Sequence, residues 1–335
     1  MLSTSGSLSA TVQHWQFIAG LLRETPGERS SSTNSASSGV LESIEAWLGQ
    51  ETGPPSIANL PLLTYQTAGG DGRRITPILG AWQAVYLALK LLDDVEDGDA
   101  GDNPSEAVNT GTGLLMAAQV VLRELEPFGV SPETAWNISL ALSRAVMRAC
   151  AGQQSDLVAG RSPRACTDPD TWLEIAGAKS GGLLGWAAWA GALVAGADEG
   201  TAARYREYGH YLGVLLQVAD DFNDVWRDDG NSDLARGCLT LPVCYGLHVA
   251  MDKTQLTLVD LVERAAAGDR TAETKARELL IDLGAQTYLL AVAQMQYQQA
   301  VAALRSTKGV PVRIEQLVVL LDRVLPALKT VCLAE

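Results

Sequence analysis

Apolar residues recur at helical spacing along most of the sequence, with turn-forming residues between the helical stretches. Residues 81–92 and 211–219 are apolar nearly all round, which is typical of helices in the interior of a bundle. Breaks rich in glycine, proline and aspartate lie at residues 53–55, 69–74, 98–104, 160–170, 229–237 and 268–269. No stretch alternates apolar and polar residues as a half-buried strand would. From residue 40 onward, the pattern therefore predicts one helix after another and an all-α fold.

The first 38 residues differ from the rest. A short amphipathic helix is expected around residues 12–22, and residues 30–38 form a Ser-rich linker. We expect residues 1–38 to be a mobile N-terminal segment and residues 39–335 to fold as a single helical domain. A chain of 335 residues, 47% of them apolar, is long enough to bury an ample core.

An acidic DDxxD signature occurs twice, as DDVED at residues 93–97 and as DDFND at residues 220–224. On a helix, positions i, i+1 and i+4 fall within an arc of about 100°, so each copy directs three carboxylates the same way. The carboxylates belong to Asp93, Asp94, Asp97, Asp220, Asp221 and Asp224. Like charges this close raise each other's pKa unless a cation neutralises them, and Mg²⁺ joins such carboxylates to substrate phosphates. Two facing clusters predict a diphosphate site.

A single DDxxD would be weak grounds for a site, because a chain with 39 Asp and Glu residues produces such patterns on solvated helix faces. Both copies, however, follow helices that are predicted to be buried. Carboxylates at the ends of buried helices are costly without a partner. The context therefore favours metal binding over a solvated face.

Around these motifs the chain resembles the trans-isoprenyl diphosphate synthase family, the class I isoprenoid enzymes. The likeness runs from about Leu60 to Leu247 and includes GQQSDL at 152–157, Glu174 with KSG at 179–181, Gln217, and TLP at 240–242, similar to the family's GQxxDL, E…KTG, FQxxDD and TLP motifs. The resemblance implies an isoprenoid synthase helical bundle around a central cavity, and homodimers are common in the family.

The resemblance also assigns roles to residues. Mg²⁺ would be held by Asp93, Asp97, Asp220 and Asp224. Asp94 and Asp221 would orient waters or metal ligands, and Lys179 and Gln217 would contact the substrate diphosphate or the waters around the metal. For Gln153, Asp156 and Glu174, polar pairing between helices is about as good an interpretation as a role in the site.

Lys90 lies outside the family motifs but inside the arc of the first aspartates. It stands three residues before Asp93, in the same relative place as Gln217 before Asp220. One interpretation is that it binds the substrate diphosphate. The alternatives are a salt bridge to one of the aspartates, or a surface lysine whose stem covers apolar surface.

Several basic residues of the family pattern are missing. Ser56–Asn59 stands where the family has a basic segment for isopentenyl diphosphate, and residues 98–114 contain no Lys or Arg. Ser232 and Cys238 stand where two lysines are expected. Arg73 and Arg74 fall in what reads as an exposed turn. Because a buried diphosphate without cations is costly, the sequence predicts that only the allylic diphosphate site is retained.

Three functional interpretations follow. The preferred one is ionisation of an allylic prenyl diphosphate followed by cyclisation or elimination, as in terpene synthases. The second is a prenyltransferase that condenses the allylic diphosphate with isopentenyl diphosphate or a non-diphosphate acceptor. The third is a non-catalytic subunit of a heteromeric synthase. In the family, the residues four and five before the first motif set chain length, and here they are Leu89 and Ala88, which suits a farnesyl or geranylgeranyl chain.

Charge and cysteine content restrict the partners. A net charge of −14 with only six lysines argues against nucleic acid and anionic membranes as partners. The five cysteines form no CxxC pair, which suggests a cytoplasmic protein. The longest uncharged run, residues 181–197, is rich in Gly and Ala and is expected to be a core helix rather than a stable membrane insertion.

Overall fold

A computed structural model describes residues 56–98, 100, 103–159, 168–226, 232–307 and 310–332. The helix expected around residues 12–22 and the Ser-rich linker lie outside these residues. The predicted boundary between residues 38 and 39 lies outside them as well. All regular secondary structure in the described part of the chain is helical, which confirms the predicted all-α class.

Thirteen α-helices make up the described residues. They are α1 (Leu60–Thr67), α2 (Thr76–Glu96), α3 (Pro104–Leu122), α4 (Pro132–Ala159), α5 (Pro169–Ala176), α6 (Gly182–Val194), α7 (Glu199–Val225), α8 (Asp233–Arg236), α9 (Leu241–Val249), α10 (Asp252–Ala266), α11 (Arg270–Asp282), α12 (Ala285–Arg305) and α13 (Pro311–Cys332). Short 3₁₀ turns occupy Ile57–Asn59 and Arg123–Leu125, and a π-helical turn occupies Gly177–Gly181.

The chain divides into two compact units. One comprises the described residues up to Leu140 together with residues 190–198, and the other comprises the described residues of 141–189 and from 199 onward. The first aspartate motif belongs to the first unit and the second motif to the second. The single domain that the sequence predicts over residues 39–335 stays a prediction.

Helix α2 forms the centre of the first unit. Its first ten residues, 76–85, are all buried, as expected for a helix that is apolar on every side. Trp82 donates its indole N–H to the carbonyl of Ile57 at 2.9 Å, which fixes α2 against the 3₁₀ turn before α1. On the other side α3 packs closely, since a Cβ at Gly111 would lie 3.1 Å from the carbonyl oxygen of Ala88. These contacts hold the helix that ends in the first motif.

Helix α7 forms the centre of the second unit and packs on α12, α13 and the π-helical turn. The Tyr208 hydroxyl donates to the carbonyl of Leu317 on α13 at 2.8 Å, and both groups are buried. Two glycines let neighbouring backbone approach α7. A Cβ at Gly209 would lie 2.3 Å from the carbonyl oxygen of Leu184, and one at Gly213 would lie 2.7 Å from the carbonyl carbon of Ser180. Glycine is therefore required at both positions for α7 to pack as it does.

The Gly- and Ala-rich run at residues 181–197 forms α6 and is largely buried, as predicted for a core helix. Within the described residues, no helix combines the length and the apolar character needed to cross a bilayer.

Candidate active site

The first aspartate motif lies on the last turn of α2. Asp93 and Asp94 are half-buried, and Asp97 is exposed at the C-cap, where its N–H bonds the carbonyl of Asp93 at 2.9 Å. Gly98 follows with a φ of 80°, which ends the helix in the left-handed conformation that glycine adopts readily. The three acidic residues therefore stand on the last turn and at the C-cap of a helix whose first ten residues are buried.

Lys90 lies one turn before the motif and pairs with Asp94. Its Nζ is 3.5 Å from Asp94 Oδ1, and the two side chains are 52% and 37% exposed. The salt bridge that the sequence offered as an alternative is therefore formed. A pair this exposed contributes at most about 1 kcal/mol to stability, so it leaves Lys90 able to exchange Asp94 for a ligand.

The second aspartate motif lies within the last two turns of α7. Asp220 is exposed, while Asp221 and Asp224 are half-buried. Asp221 Oδ2 accepts the backbone N–H of Leu241 at 2.6 Å. That N–H belongs to the first residue of α9, so the carboxylate caps α9 from another helix, and the side chain of the N-cap residue Thr240 makes no capping bond.

The bond to Leu241 gives Asp221 a structural role that sequence reasoning missed. Burial raises the pKa of its carboxyl well above the usual range, the Leu241 N–H opposes this shift, and the nearby charges of Asp233, Asp156 and Asp220 add to it. The sequence predicted that aspartates within one motif repel each other and raise each other's pKa, and Asp220 does so for Asp221. The cap to α9 had no signal beyond the proximity of the TLP motif in the family pattern.

Lys179 lies in the π-helical turn between α5 and α6. Its Nζ is 3.7 Å from Asp156 Oδ2, so the structure brings together two residues that the sequence singled out separately. The turn is held by close backbone contacts: a Cβ at Gly152 on α4 would lie 3.1 Å from the Lys179 nitrogen. π-helical turns are rare and occur often at functional sites. The sequence indicated the π-helical turn only through the glycines around Lys179.

The remaining predicted polar residues take varied positions. Gln217 is half-buried on α7, one turn before Asp220, and Gln153 is half-buried on α4. Glu174 is exposed on α5. Their roles in ligand binding stay predictions.

Several positions where the family pattern has cations are described in the structure. Ser56–Asn59 is buried or half-buried around the first 3₁₀ turn, whereas Arg73 and Arg74 are exposed in the turn before α2, as predicted. Cys238 is half-buried after α8, and Ser232 is completely buried at the N-cap of α8. Ser232 thus occupies an interior position where a lysine would need a buried partner.

The chemistry of both aspartate motifs fits Mg²⁺. Both lie at C-terminal helix ends, where the partial negative charge of the helix dipole makes further carboxylates unfavourable without a cation. Among the described residues, no three His, Cys, Asp or Glu side chains converge closely enough to hold a metal by themselves. Mg²⁺ does not need such a cage, because it keeps several waters and takes other oxygens from substrate phosphates.

Comparison with known proteins covers most of the chain. The model of the polyprenyl synthetase family matches residues 81–280, which include both aspartate motifs. A geranylgeranyl diphosphate synthase of Mycobacterium tuberculosis is 31% identical over an alignment of 259 residues that covers 72% of this chain and 73% of that protein.

Solved structures agree with the sequence comparison. The polyprenyl synthetase from Streptomyces coelicolor A3(2) superposes with a TM-score of 0.69 at 25% identity and covers 82% of this chain and 86% of that one. The decaprenyl diphosphate synthase from Rhodobacter capsulatus shares the fold, with a TM-score of 0.78 at 20% identity, and covers 97% of this chain and 99% of that one.

These matches support the predicted prenyltransferase alternative, and none of the proteins named here supports cyclisation as the leading interpretation. A family match over more than half of the chain, joined by a relative 31% identical over 72% of it, shows that the chain belongs to the polyprenyl synthetase family.

Proposed function

We propose that this protein is a prenyl diphosphate synthase that transfers an allylic prenyl chain to isopentenyl diphosphate. The observation that carries this function is the match to the M. tuberculosis geranylgeranyl diphosphate synthase over 72% of the chain, with both aspartate motifs retained at helix ends. In the reaction, the allylic C–O bond breaks and pyrophosphate leaves. The double bond of isopentenyl diphosphate attacks the allylic cation, and loss of a proton gives a longer allylic diphosphate.

The proposed roles follow from where the side chains lie. Asp93 and Asp97 at the end of α2, and Asp220 and Asp224 at the end of α7, would hold Mg²⁺. When bound by these residues, Mg²⁺ would supply positive charge that stabilises the leaving diphosphate. Lys179, fixed by the π-helical turn, would donate to diphosphate oxygens, and Gln217 would donate to or accept from the waters nearby.

Substrate length is proposed from α2. Ala88 is buried and Leu89 half-buried, and neither is an aromatic residue that would block the path of a long chain. This supports an allylic substrate of farnesyl or geranylgeranyl size.

One observation favours the cyclase as a second candidate. The segment Ser56–Asn59 carries no cation, and Ser232 is buried, so neither position supplies charge for a second diphosphate. A site without these cations would handle one diphosphate, as an enzyme that ionises and cyclises a single substrate does.

Pyrophosphate release separates the two candidates. The protein is incubated with farnesyl or geranylgeranyl diphosphate and Mg²⁺, with and without isopentenyl diphosphate. A synthase releases pyrophosphate only when isopentenyl diphosphate is present. Equal release from the allylic diphosphate alone would contradict the synthase and support cyclisation or elimination.

Replacement of Lys90 by methionine tests its proposed contact with the diphosphate. We expect Lys90→Met to lower the affinity for a non-hydrolysable allylic diphosphate analogue by about 1.5–3 kcal/mol, because a charge-assisted bond to the ligand is lost. The melting temperature of the ligand-free protein should hardly change, since the Lys90–Asp94 pair is exposed. Lys253→Met, at an exposed lysine on α10, is the control. Unchanged analogue affinity in Lys90→Met would leave only the salt bridge to Asp94.

A homodimer is also proposed, on a stripe of exposed apolar residues along α3. Val108, Met116 and Val120 lie within about 120° of one another on the helix, and Met116 is 61% exposed. Contiguous exposed apolar surface is a feature of protein interfaces, and these three are the large apolar side chains that α3 exposes. Met116→Glu should therefore convert the dimer to a monomer in light scattering after size-exclusion chromatography. Met251→Glu, at a methionine that is 80% exposed before α10, should stay dimeric. A monomeric wild type would refute the dimer.

A further inference from the structure

The end of α7 just beyond the second aspartate motif is tied to α11 by an arginine. Arg277 Nε donates to the carbonyl of Val225 at 2.9 Å. Val225 is the last residue of α7 and directly follows Asp224. The last carbonyls of a helix have no partner within the helix, and Val225 is completely buried. Arg277 therefore satisfies a carbonyl that would otherwise be costly to bury.

Arg277 also forms a buried salt bridge with Glu273. Arg277 Nη2 donates to Glu273 Oε1, and the two side chains are only 13% and 8% exposed. Glu273 Oε1 also accepts the hydroxyl proton of Ser232 at 2.5 Å. Ser232 in turn accepts the backbone N–H of Ala235 at 3.2 Å and so caps α8. Val225 and Ser232, which lie on either side of residues 227–231, thus both hydrogen-bond to the buried pair of Arg277 and Glu273.

The residues around Arg277 and Val225 are tightly packed, which restricts the motion of both. Val225 packs in a cluster of fully or nearly fully buried side chains from α8 to α11, including Leu234, Val262 and Leu280. The guanidinium charge is compensated by Glu273, so Arg277 is not a cation for the diphosphate. A positive group at the C-terminal end of a helix is favourable.

We propose that Arg277 is a positioning residue for the second aspartate motif, which it holds in register for metal binding through the Val225 carbonyl. The proposal rests on the proposed function in that the motif must bind a divalent metal. Metal ligands have to be held within about 0.5 Å of their productive places, and loss of the groups that orient them typically costs 10- to 100-fold in metal affinity. Asp224, one residue from Val225, is the ligand most directly affected.

Metal binding is measured without turnover, by electron paramagnetic resonance titration of Mn²⁺ in the presence of inorganic pyrophosphate. Mn²⁺ prefers the same oxygen ligands as Mg²⁺. Arg277→Met should weaken Mn²⁺ binding about 10- to 100-fold. Because this change strands Glu273 as a buried unpaired charge and can unfold the protein, the double variant Glu273→Gln/Arg277→Met is the decisive one. It removes both charges, keeps an acceptor for Ser232, and should show the same loss of Mn²⁺ affinity.

Tyr208→Phe is the matched control, because it removes a different buried bond from α7, the one to Leu317. It should lower stability without changing Mn²⁺ affinity. Hydrogen–deuterium exchange gives a second readout: amides of residues 222–226 should exchange faster in the double variant than in Tyr208→Phe.

The outcomes separate this proposal from the proposed function. Wild-type Mn²⁺ affinity in the double variant would overturn the role of Arg277 while leaving the synthase intact. A wild-type protein that binds no Mn²⁺ with pyrophosphate would instead overturn the proposed function, and the role of Arg277 with it.

Discussion

Alanine in place of Asp93 or Asp220 is expected to lower turnover at least about a hundredfold, because a metal-held leaving group loses a ligand. Asp93 lies on the last turn of α2 and Asp220 lies within the last two turns of α7, near the negative end of each helix dipole. Removal of Asp220 should relieve its repulsion with Asp221, and melting curves in the absence of metal check that both variants fold. Loss of activity would then report lost metal binding and not unfolding.

The first motif contains its own control. Glu96 lies between Asp94 and Asp97, is exposed, and stands at a variable position of DDxxD. Glu96→Gln removes the same charge from the same turn and should retain near-normal turnover. Steady-state rates at saturating Mg²⁺ with matched melting curves decide the matter. Full activity in both aspartate variants would mean that the motifs are solvated helix faces.

Replacement of Gly209 by alanine should destabilise the protein by about 1–2 kcal/mol. A Cβ at this position lies 2.3 Å from the carbonyl oxygen of Leu184 and 2.9 Å from the Cα of Gly185, and backbone atoms cannot rotate away. Overpacking of this kind costs about 1–3 kcal/mol and occasionally more. Alanine regains about 1 kcal/mol from its higher helix propensity. The clash is large enough that it should still prevail.

Gly182→Ala is the matched change for this test. Its Cβ would meet nothing closer than the Gly177 carbonyl oxygen at 3.8 Å, an ordinary contact, so stability should stay the same or rise slightly. Urea unfolding of both variants, followed by circular dichroism, measures the difference. Equal midpoints would show that α6 and α7 separate at little cost.

Much of the fold could be predicted because its signals are local. Residues 81–92 read as an interior helix from their apolar character, and α2 is buried as expected. The Gly- and Ala-rich run at 181–197 read as a core helix and is one. Breaks such as Gly98, whose φ is positive, follow from the conformational freedom of glycine.

Other features depend on contacts between distant residues and had no local signal. The capping of Leu241 by Asp221 joins residues twenty positions apart, and the bond from Arg277 to Val225 joins residues fifty-two positions apart. The missing lysine at position 232 was noticed in the sequence, but its consequence, a buried hydroxyl bonded to Glu273, was not. Periodicity reports which face of a helix is buried and not which side chain it meets.

Motifs alone did not distinguish a synthase from a cyclase. The absence of cations at Ser56–Asn59, Ser232 and Cys238 favoured the cyclase, since each missing charge counted as a missing binding site. The similarity to a geranylgeranyl diphosphate synthase extends over 72% of the chain and supports the transferase. The missing cations at single positions are therefore weaker grounds for assigning the function than the similarity along most of the chain.

Transfer of radiolabelled isopentenyl diphosphate to an unlabelled allylic diphosphate tests the central claim most directly. The protein is incubated with Mg²⁺, labelled isopentenyl diphosphate and either farnesyl or geranylgeranyl diphosphate, with Asp220→Ala as the blank. We predict that label appears in a linear prenyl diphosphate at least five carbons longer than the allylic substrate, and only with Mg²⁺ and intact Asp220. Label confined to unreacted isopentenyl diphosphate, while the allylic substrate turns into hydrocarbon, would contradict the account.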